Sequence, residues 1–267
     1  LDKYSFKGKK FYLPWPFDFS KEISFVEGKK LNLYDLYSGK SLRLTCTDVN
    51  AIYGGYYLSV CSDAPRKGIS LLLSEWVEYV NHSNKEFCLI LKLSTFTFSK
   101  SKKDLIKQVL DLIKFKKSKN NFRILLLFEN LDDSNMNTLY QKCRFCLSTS
   151  LGEGFGGTIL ETILNGRPVL VPRHTSFQYL IPEDYKFIIK HRNITINFTE
   201  NTPYSPSSMW GMIENGSLCA QLIELDKREF NSFENDISDL KRFSRSICGY
   251  EKAQLLFDKY FDEIINK

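Results

Sequence analysis

From about Tyr56 onward, short apolar runs alternate with longer amphipathic stretches along the chain. The apolar runs have the length of β-strands, whereas the stretches between them carry apolar residues at helical spacing. The pattern predicts strands at residues 56–61, 87–93, 123–128, 144–148, 168–171 and 186–189, and helices at residues 68–80, 103–115, 135–142, 157–165 and 176–180. Repeated β-α units of this size predict an α/β fold, a Rossmann-like doubly wound parallel sheet with helices on both faces.

The two ends of the chain have a different pattern from the middle. Residues 1–50 are aromatic and basic, and Pro14 and Pro16 block a helix there. We interpret this part as a lead-in or linker, or as a remnant of an N-terminal lobe. Residues 51–227 form the predicted ligand-binding domain. Residues 228–267 predict C-terminal helices whose apolar positions are expected to serve packing: Leu255, Phe257, Tyr260, Phe261 and Ile264.

Composition and charge narrow the class of protein. Of the 267 residues, 43% are hydrophobic and 14% aromatic, which suffices for a packed core and argues against disorder throughout. The net charge of +6 is mild for this length and suits anionic small ligands or an acidic membrane face. The chain lacks a clustered basic stripe with interleaved aromatic residues, so we expect no nucleic-acid partner.

Cysteine usage and the length of the apolar runs bear on the compartment. The seven cysteines are an odd number without framework spacing, which favours free thiols in a reducing cytosol over a secreted disulfide scaffold. We find no signal peptide, and the longest apolar run, residues 124–128, is far shorter than the ~20 residues that span a bilayer. We therefore expect a cytoplasmic protein, with peripheral contact at the inner face of the cell membrane kept open. The first residue is Leu1 rather than Met, as in an excised piece of a longer protein.

The most informative stretch is LGEGFGGTILET at residues 151–162, which follows a predicted strand. In doubly wound sheets, ligands bind beyond the carboxyl ends of the strands. Gly154, Gly156 and Gly157 let backbone amides approach a ligand, and the helix that follows turns its positive end toward the loop. Glu153 and Glu161 can accept hydrogen bonds from sugar hydroxyls. A ligand with hydroxyls at both ends and a diphosphate between them fits this combination, and a nucleotide-diphosphate sugar is such a ligand.

Plainer interpretations of this stretch stay open on spacing alone. A glycine-rich turn before a helix is common, and Glu161 could be a solvated helix residue. A single Gly-x-Gly-Gly is weak, and the sequence contains no Gly-x4-Gly-Lys-Ser/Thr phosphate loop.

The second informative stretch, SDAPRKG at residues 62–68, follows the first predicted strand. Arg66 and Lys67 are expected at the start of a helix, since Pro65 suits a first-turn position. The helix macrodipole disfavours cations there by up to ~1 kcal/mol, and a bound anion would reverse that cost. The alternative is that both side chains bend into water.

Four other residues carry weaker signals. His174 follows a predicted strand and could border the cleft, although a loop histidine is more often incidental. Trp210 is better explained as a packing residue than as one that stacks on a base. Asp132 and Asp133 resemble a metal-binding pair, yet a helix N-cap explains them better.

Together, the motifs resemble a known family. They are PRKG at residues 65–68, EGFGGTILE at 153–161 and NGRPVLVP at 165–172, extended by LYQKCRFCLSTSLGEGFG at 139–156 and MWGMIENGSLCAQL at 209–222. The combination resembles the C-terminal, donor-binding lobe of retaining GT-B glycosyltransferases of family 4, and the pattern Glu-x7-Glu followed by a Gly-x-Pro-Val strand is its most specific mark. The resemblance covers about residues 55–225.

The resemblance implies roles for individual residues. Glu153 would contact the hydroxyls of the donor sugar, Glu161 the ribose and Lys67 the diphosphate, which makes Glu153 and Lys67 the catalytic candidates. Arg66 would assist in binding the donor. Backbone amides for the sugar and diphosphate would come from four loop residues, Gly154, Phe155, Gly156 and Gly157. No metal and no cofactor beyond the donor substrate are expected.

The same resemblance implies a function, although two features of the family are missing from this sequence. The expected activity is retaining sugar transfer from a nucleotide-diphosphate sugar to a glycan or lipid-linked acceptor, in bacterial surface polysaccharide or lipopolysaccharide biosynthesis. The family commonly has Gly-Arg where this chain has Val60 and Cys61. An N-terminal acceptor lobe is not visible, so it would belong to a longer chain or to a partner chain. The alternative is a degenerate, non-catalytic donor lobe that scaffolds another glycosyltransferase.

Overall fold

The computed structural model describes residues 16–19, 23, 28–94, 101–113, 122–195 and 209–265. Its strands are β1 (Leu31–Asp35), β2 (Lys40–Leu44), β3 (Tyr56–Ser62), β4 (Cys88–Ser94), β5 (Ile124–Leu127), β6 (Cys146–Leu147), β7 (Val169–Pro172), β8 (Ile188–Ile189), β9 (His191–Thr195) and β10 (Met209–Ile213). Its α-helices are α1 (Cys46–Tyr53), α2 (Ile69–His82), α3 (Lys102–Ile113), α4 (Asp133–Lys142), α5 (Gly157–Leu164), α6 (Phe177–Leu180), α7 (Ser217–Asp226), α8 (Glu234–Cys248) and α9 (Tyr250–Ile265). None of these helices is long and apolar enough to cross a membrane.

The centre of the described chain is an eight-stranded sheet in the order β2-β1-β5-β4-β3-β6-β7-β8. Strands β3 to β8 pair in parallel, whereas β1 pairs antiparallel with both β2 and β5. From β3 the chain moves outward through β4 and β5, then crosses to β6 on the other side of β3, which is the Rossmann order. The predicted doubly wound α/β fold is confirmed, and its switch point lies between β3 and β6.

The hairpin of β1 and β2 lies in the part of the chain that we interpreted as a lead-in. Leu33 of β1 pairs with Leu127 of β5, so the hairpin extends the sheet by two antiparallel strands. Leu31 and Leu33 are buried in the same hydrophobic core as Val49 of α1. The described residues 28–50 therefore form part of the same sheet and core, while the division of the chain at residue 50 stays a prediction.

Both faces of the sheet are covered, and this explains the apolar strand sequences. Strand β4 reads CLILKLS with all but its last residue buried, as is typical of parallel strands with helices on both sides. On one face, Leu89 of β4 packs in a core with Leu73 of α2 and Val109 of α3. On the other face, Ile90 packs with Leu139 of α4. Ligands are therefore confined to the ends of the strands.

The C-terminal helices differ from the sequence-based expectation in one respect. Helix α8 packs against α5, α6 and α9. The prediction that the apolar stripe of α9 serves packing is wrong for Leu255, Phe257 and Phe261, which are 67%, 51% and 50% exposed. Among the described elements, α9 packs mainly against α8, so that the side of α9 around the buried Ala253 is covered and these three residues are not.

Candidate active site

Two loops meet at the switch point, one after β3 and one after β6. The N–H of Leu151 donates to the carbonyl of Arg66 at 2.7 Å, and Ser150 Oγ donates to the same carbonyl at 3.1 Å. Gly68 has a φ of +63° and lies so close to the carbonyl of Thr149 that any Cβ would overlap it. The loops are therefore fixed to each other, and glycine is required where they touch.

Arg66 and Lys67 do not lie in the first turn of α2, as the sequence suggested. Pro65–Lys67 form a separate 3-10 turn, and α2 begins only at Ile69. The left-handed Gly68 separates the turn from the helix. Both cations therefore precede the first turn of α2 instead of lying in it, and their charges are balanced by a neighbouring side chain.

The charges of Arg66 and Lys67 are balanced by Glu153. Glu153 Oε1 accepts a hydrogen bond from Lys67 Nζ at 2.5 Å, and its Oε2 accepts one from Arg66 Nη1 at 3.1 Å. The Arg66 guanidinium also donates to the carbonyl of Gly152 at 2.9 Å. The Glu153 side chain is only 9% exposed, against 15% for Lys67 and 25% for Arg66. The structure thus brings together three residues that the sequence placed on two separate loops, and neither cation extends into water.

The surroundings of Glu153 keep it charged and hold its position. Burial alone would raise the pKa of the Glu153 carboxyl, but Lys67, a hydrogen bond with Ser150 and Arg66 outweigh burial and hold the pKa below its ordinary value. The N–H of Glu153 donates to Thr175 Oγ1 at 3.0 Å. Thr175 has a φ of +46°, a strained conformation for a β-branched residue and one that is found most often at functional sites.

The glycine-rich loop forms the start of α5. Gly156 is the N-cap with a φ of +88°, and a Cβ there would overlap a neighbouring aromatic ring. Gly154 and Gly157 have open space where a Cβ would stand. The ring of Phe155 packs on Phe17 at 5.6 Å between centroids, so this residue can offer its backbone to a ligand. The first amides of α5 have no carbonyl in a preceding helical turn, and such a helix start attracts anions.

Glu161 lies one turn inside α5, and no contact in the described chain joins it to the Glu153 cluster. Its Oε2 accepts a hydrogen bond from Tyr140 Oη of α4 at 2.7 Å. Burial raises the pKa of the Glu161 carboxyl above its ordinary value; the Tyr140 bond acts against burial and the charge of Asp133 acts with it. Glu161 is therefore a half-buried, hydrogen-bonded acid between two helices, unlike a solvated helix residue.

Cys61 lies near the carboxyl end of β3, within electrostatic reach of Lys67 and Glu153. Burial raises the pKa of its thiol to about 12, although Lys67 acts in the opposite direction. The thiol is thus neutral at physiological pH. Cys61 adds no positive charge to this end of the sheet.

A cavity of about 540 Å³ opens beside Glu153. It is lined by Arg66, Gly152, Glu153, Gly154, Thr175, Met209 and Trp210. Met209 and Trp210 belong to β10, which forms a two-stranded sheet with β9 apart from the main sheet. Trp210 is only 6% exposed and so packs as expected, but it also forms part of the cavity wall. Sequence analysis missed Thr175, which carries no charge and lies outside the quoted motifs, and it gave no role to Met209, although this residue begins the segment at 209–222.

The β9–β10 hairpin is attached to the Glu153 loop at Gly211. The N–H of Gly211 donates to the carbonyl of Leu151 at 2.9 Å, and a Cβ at Gly211 would overlap the imidazole of His174. His174 is buried, and burial, aided by His191, lowers its pKa to about 4, so the ring is neutral. His174 therefore packs between the loop and the hairpin.

Asp132 has the structural role that the sequence favoured. It is the N-cap of α4, and its side chain accepts a hydrogen bond from the N–H of Asn135 at 2.9 Å. Within the described ranges, no three His, Cys, Asp or Glu side chains are grouped as a metal site requires.

A larger cavity of about 860 Å³ lies between α3 and the β1–β2 hairpin. Its lining is mostly apolar, with Tyr34, Ile106, Leu110 and Phe122 among the residues. Four charged residues also line it, but all four are exposed on α3, and the cavity lies along this helix rather than at the switch point: Lys102, Lys103, Lys107 and Asp111. Size alone would favour this cavity, whereas the chemistry of the side chains favours the one beside Glu153.

Comparisons with known proteins identify the fold. No protein-family model and no curated protein matches the sequence. Among solved structures, the chain is similar to Anabaena HepE in complex with UDP and glucose, with 14% identity, a TM-score of 0.55, and coverage of 94% of this chain and 56% of that chain. It is also similar to a UDP-forming trehalose-phosphate synthase from Burkholderia xenovorans, with 12% identity, a TM-score of 0.56, and coverage of 80% and 44%. A third is the N-terminal domain of Candida albicans trehalose-6-phosphate phosphatase, with 14% identity, a TM-score of 0.57, and coverage of 82% and 45%.

The chain spans about half the length of these structures. At such low identity, the similarity shows the fold alone. The chain therefore shares with these structures a Rossmann-like α/β lobe of the GT-B fold.

Proposed function

We propose that the chain is the donor-binding lobe of a retaining glycosyltransferase of family 4 and binds a nucleotide-diphosphate sugar at the switch point. The transferred sugar would go to a glycan or lipid-linked acceptor in bacterial surface polysaccharide biosynthesis. The observation that carries this proposal is the buried cluster of Glu153, Lys67 and Arg66, built from both loops beside an open cavity.

In this proposal, the cluster is a resting state whose partners change when the donor binds. The diphosphate attracts Lys67 and Arg66, and the amides at the start of α5 donate to its oxygens. Glu153 is then released to accept hydrogen bonds from the hydroxyls of the sugar. Because its pKa is held low by the cations, it enters this exchange as a carboxylate.

The same groups stabilise the transition state of transfer. Negative charge grows on the diphosphate as the bond to the sugar breaks, and Lys67, Arg66 and the helix start are placed to neutralise it without a metal. The acceptor oxygen attacks the face from which the diphosphate leaves, so the configuration at the sugar carbon is retained. This step uses no protein nucleophile.

Glu161 is proposed to bind the ribose. Tyr140 occupies its Oε2, and no described residue donates to Oε1. A half-buried carboxylate oxygen of this kind is a strong acceptor for a ribose hydroxyl, because little water competes with the ligand.

The acceptor side of the site is proposed to come from another lobe, in a longer chain or a partner chain. The described cavity is bounded by donor-lobe loops and by the β9–β10 hairpin only. We also propose that the protein acts in the cytoplasm, with peripheral contact at the inner membrane face through its modest positive charge.

Titration calorimetry with UDP- and GDP-sugars tests the proposal. The wild-type chain should bind one donor saturably. Glu161→Ala should weaken that binding by about 1–3 kcal/mol through lost charge-assisted hydrogen bonds. The matched control is Glu183→Gln, which changes an exposed carboxylate that pairs with Arg173 and does not line the cavity. This variant should bind as the wild type does. If the wild type and Glu161→Ala bind the donor with equal affinity, the ribose assignment is contradicted. If no donor gives saturable heat with the wild type, the proposed function is contradicted.

The alternative is a non-catalytic lobe that scaffolds another glycosyltransferase. It is favoured by the neutral thiol of Cys61 at the place where the resembling family has an arginine. A scaffold should show no saturable heat with any donor, whereas an enzyme should bind one donor and release free nucleoside diphosphate on incubation with it.

A further inference from the structure

Lys92 interrupts the apolar sequence of β4. It is 8% exposed, and it pairs in register with Val60 of β3 on one side and Leu127 of β5 on the other. These positions lie near the carboxyl ends of three neighbouring parallel strands, which is the edge where the two site loops meet. A strand covered by helices on both faces gains nothing in packing from a charge at this position.

Within the part of the chain that the structure describes, Lys92 makes no hydrogen bond and no salt bridge. The groups that act on it electrostatically are Cys61 and Glu129. The Cys61 thiol is neutral. Both oxygens of Glu129 are occupied by Asn32, whose N–H donates to Oε2 at 3.1 Å and whose Nδ2 donates to Oε1 at 2.5 Å. Burial lowers the pKa of Lys92, as expected for an ammonium that has lost water without gaining a partner.

The ammonium of Lys92 is largely buried but not fully sealed from solvent. Lys92 Nζ is not among the polar atoms of the described residues that are sealed from solvent without a partner. The aliphatic stem is therefore buried among the strands while the head keeps a small solvent-exposed area near the carboxyl ends of β3, β4 and β5, as long cationic side chains commonly do.

Lys92 lies between the two parts of the candidate site. Along β4, Leu89 and Leu91 belong to the core of α2 and α3, whereas Ile90 belongs to the core that contains Tyr140. Because side chains alternate along a strand, Lys92 is on the Tyr140 face, where Glu161 is held. Cys61, which is within electrostatic reach of Lys92, is also within reach of the Glu153 cluster.

We propose that Lys92 is a donor-binding residue, whose ammonium donates to an oxygen of the nucleotide part of the donor. The oxygen that accepts this hydrogen bond is a phosphate oxygen or a carbonyl oxygen of the base. Either one would give a hydrogen-bond partner to an ammonium that the protein leaves unpaired. The inference rests on the proposed function, since it places a further cation beside Arg66 and Lys67 in the same site.

Calorimetry with UDP, GDP and ADP tests the role of Lys92. For the nucleoside diphosphate that the wild type binds most tightly, Lys92→Met should weaken binding about tenfold or more, the loss expected for a hydrogen bond to a charged group. Lys92→Arg should retain part of the affinity. Lys227→Met removes an exposed lysine that pairs with Glu224, and should bind as the wild type does.

Thermal unfolding separates binding from a structural role. Methionine has similar volume and no charge to desolvate, so Lys92→Met should unfold at the same temperature as the wild type or higher. Lys92→Gln gives the same comparison should the methionine variant fail to fold.

Two further ligands identify the oxygen. Weaker binding of inorganic pyrophosphate by Lys92→Met assigns the contact to a phosphate, and weaker binding of the nucleoside alone assigns it to the base. Unchanged binding of every ligand would overturn the inference while leaving the proposed function intact. A wild type that binds no nucleotide would overturn both.

Discussion

At the scale of single residues, the two glutamates of the glycine-rich loop are in opposite electrostatic states. Glu153 is buried but surrounded by Lys67 and Arg66, which hold its pKa low. Glu161 is half-buried without a cation, and its pKa is raised. Folding therefore favours the charge on one acid and disfavours it on the other. The half-buried charge of Glu161 therefore lowers the stability of the folded protein, as is common where a group is retained for function.

Glu161→Gln is expected to make the protein more stable at neutral pH. Since the folded pKa of Glu161 lies above the unfolded value, the folded state binds more protons between the two values, and stability falls as pH rises through that window. The penalty is complete above the folded pKa and absent below about pH 4, near the ordinary value. Urea unfolding should show a gain for the variant at pH 7 that disappears at low pH.

The control for this prediction is Glu183→Gln, whose exposed carboxylate should show no such pH-dependent gain. A Glu161→Gln variant that is less stable than the wild type at pH 7 would mean that the Tyr140 hydrogen bond outweighs the cost of burying the charge.

At the scale of elements, the β9–β10 hairpin is positioned by one glycine. Gly211 lies against His174 and donates to Leu151, so the wall that carries Trp210 depends on the absence of a side chain at position 211. In the described part of the chain, the hairpin pairs with no strand of the main sheet. Its attachment is therefore local and open to a direct test.

Gly211→Ala is expected to destabilise the protein by about 1–3 kcal/mol, because the new methyl group overlaps the His174 ring. Adding His174→Ala should restore most of the loss, and the double-mutant cycle measured by urea unfolding gives the coupling. Gly154→Ala is the steric control, since nothing lies within 4 Å of a Cβ there. If Gly211→Ala lowers the free energy of unfolding equally in the wild type and in the His174→Ala variant, the contact between position 211 and His174 is contradicted.

The elements also show what the sequence could and could not predict. The β-α alternation from β3 to β8 was predicted with ends within about two residues, because each unit carries its own apolar period. The pairing of β1 with β5 was not predicted, since Leu33 and Leu127 are far apart in sequence and local pattern does not encode such pairs. Strand β9, HRNIT, has no buried residue and so gave no alternation to detect.

The candidate site was predictable to a similar extent. Glu153, Lys67 and Arg66 were found through motif and charge, and the structure places them together. The contacts of Glu161 with Tyr140 and of Glu153 with Thr175 join separate elements, so they required the fold. The error about the first turn of α2 came from Gly68, whose left-handed conformation follows from a contact with the other loop.

At the scale of the whole molecule, helix α9 leaves an apolar surface exposed. Phe257 and Phe261 of α9 stack at 5.9 Å between ring centroids and are each about half exposed. Exposed aromatic residues of this kind contribute little to folding but promote self-association.

The double variant Phe257→Gln and Phe261→Gln is expected to change the free energy of unfolding by no more than about 0.5 kcal/mol, as is usual for surface positions. Light scattering should show equal or weaker self-association. Leu240→Ala in α8, at a residue only 1% exposed, is the contrasting variant and should cost about 2–5 kcal/mol. A loss of that size in the α9 variant would show that the two rings are packed in solution.

The contact between Gly68 and the carbonyl of Thr149 has a consequence for how this protein could diverge. It fixes the distance between the basic turn and the acidic loop, so under the proposed function neither can move to suit a larger or smaller sugar. Change in sugar preference is then left to the residues of the other wall, Met209 above all, which is 57% exposed and free to vary. Relatives that use different donors should keep glycine at position 68 and differ at position 209.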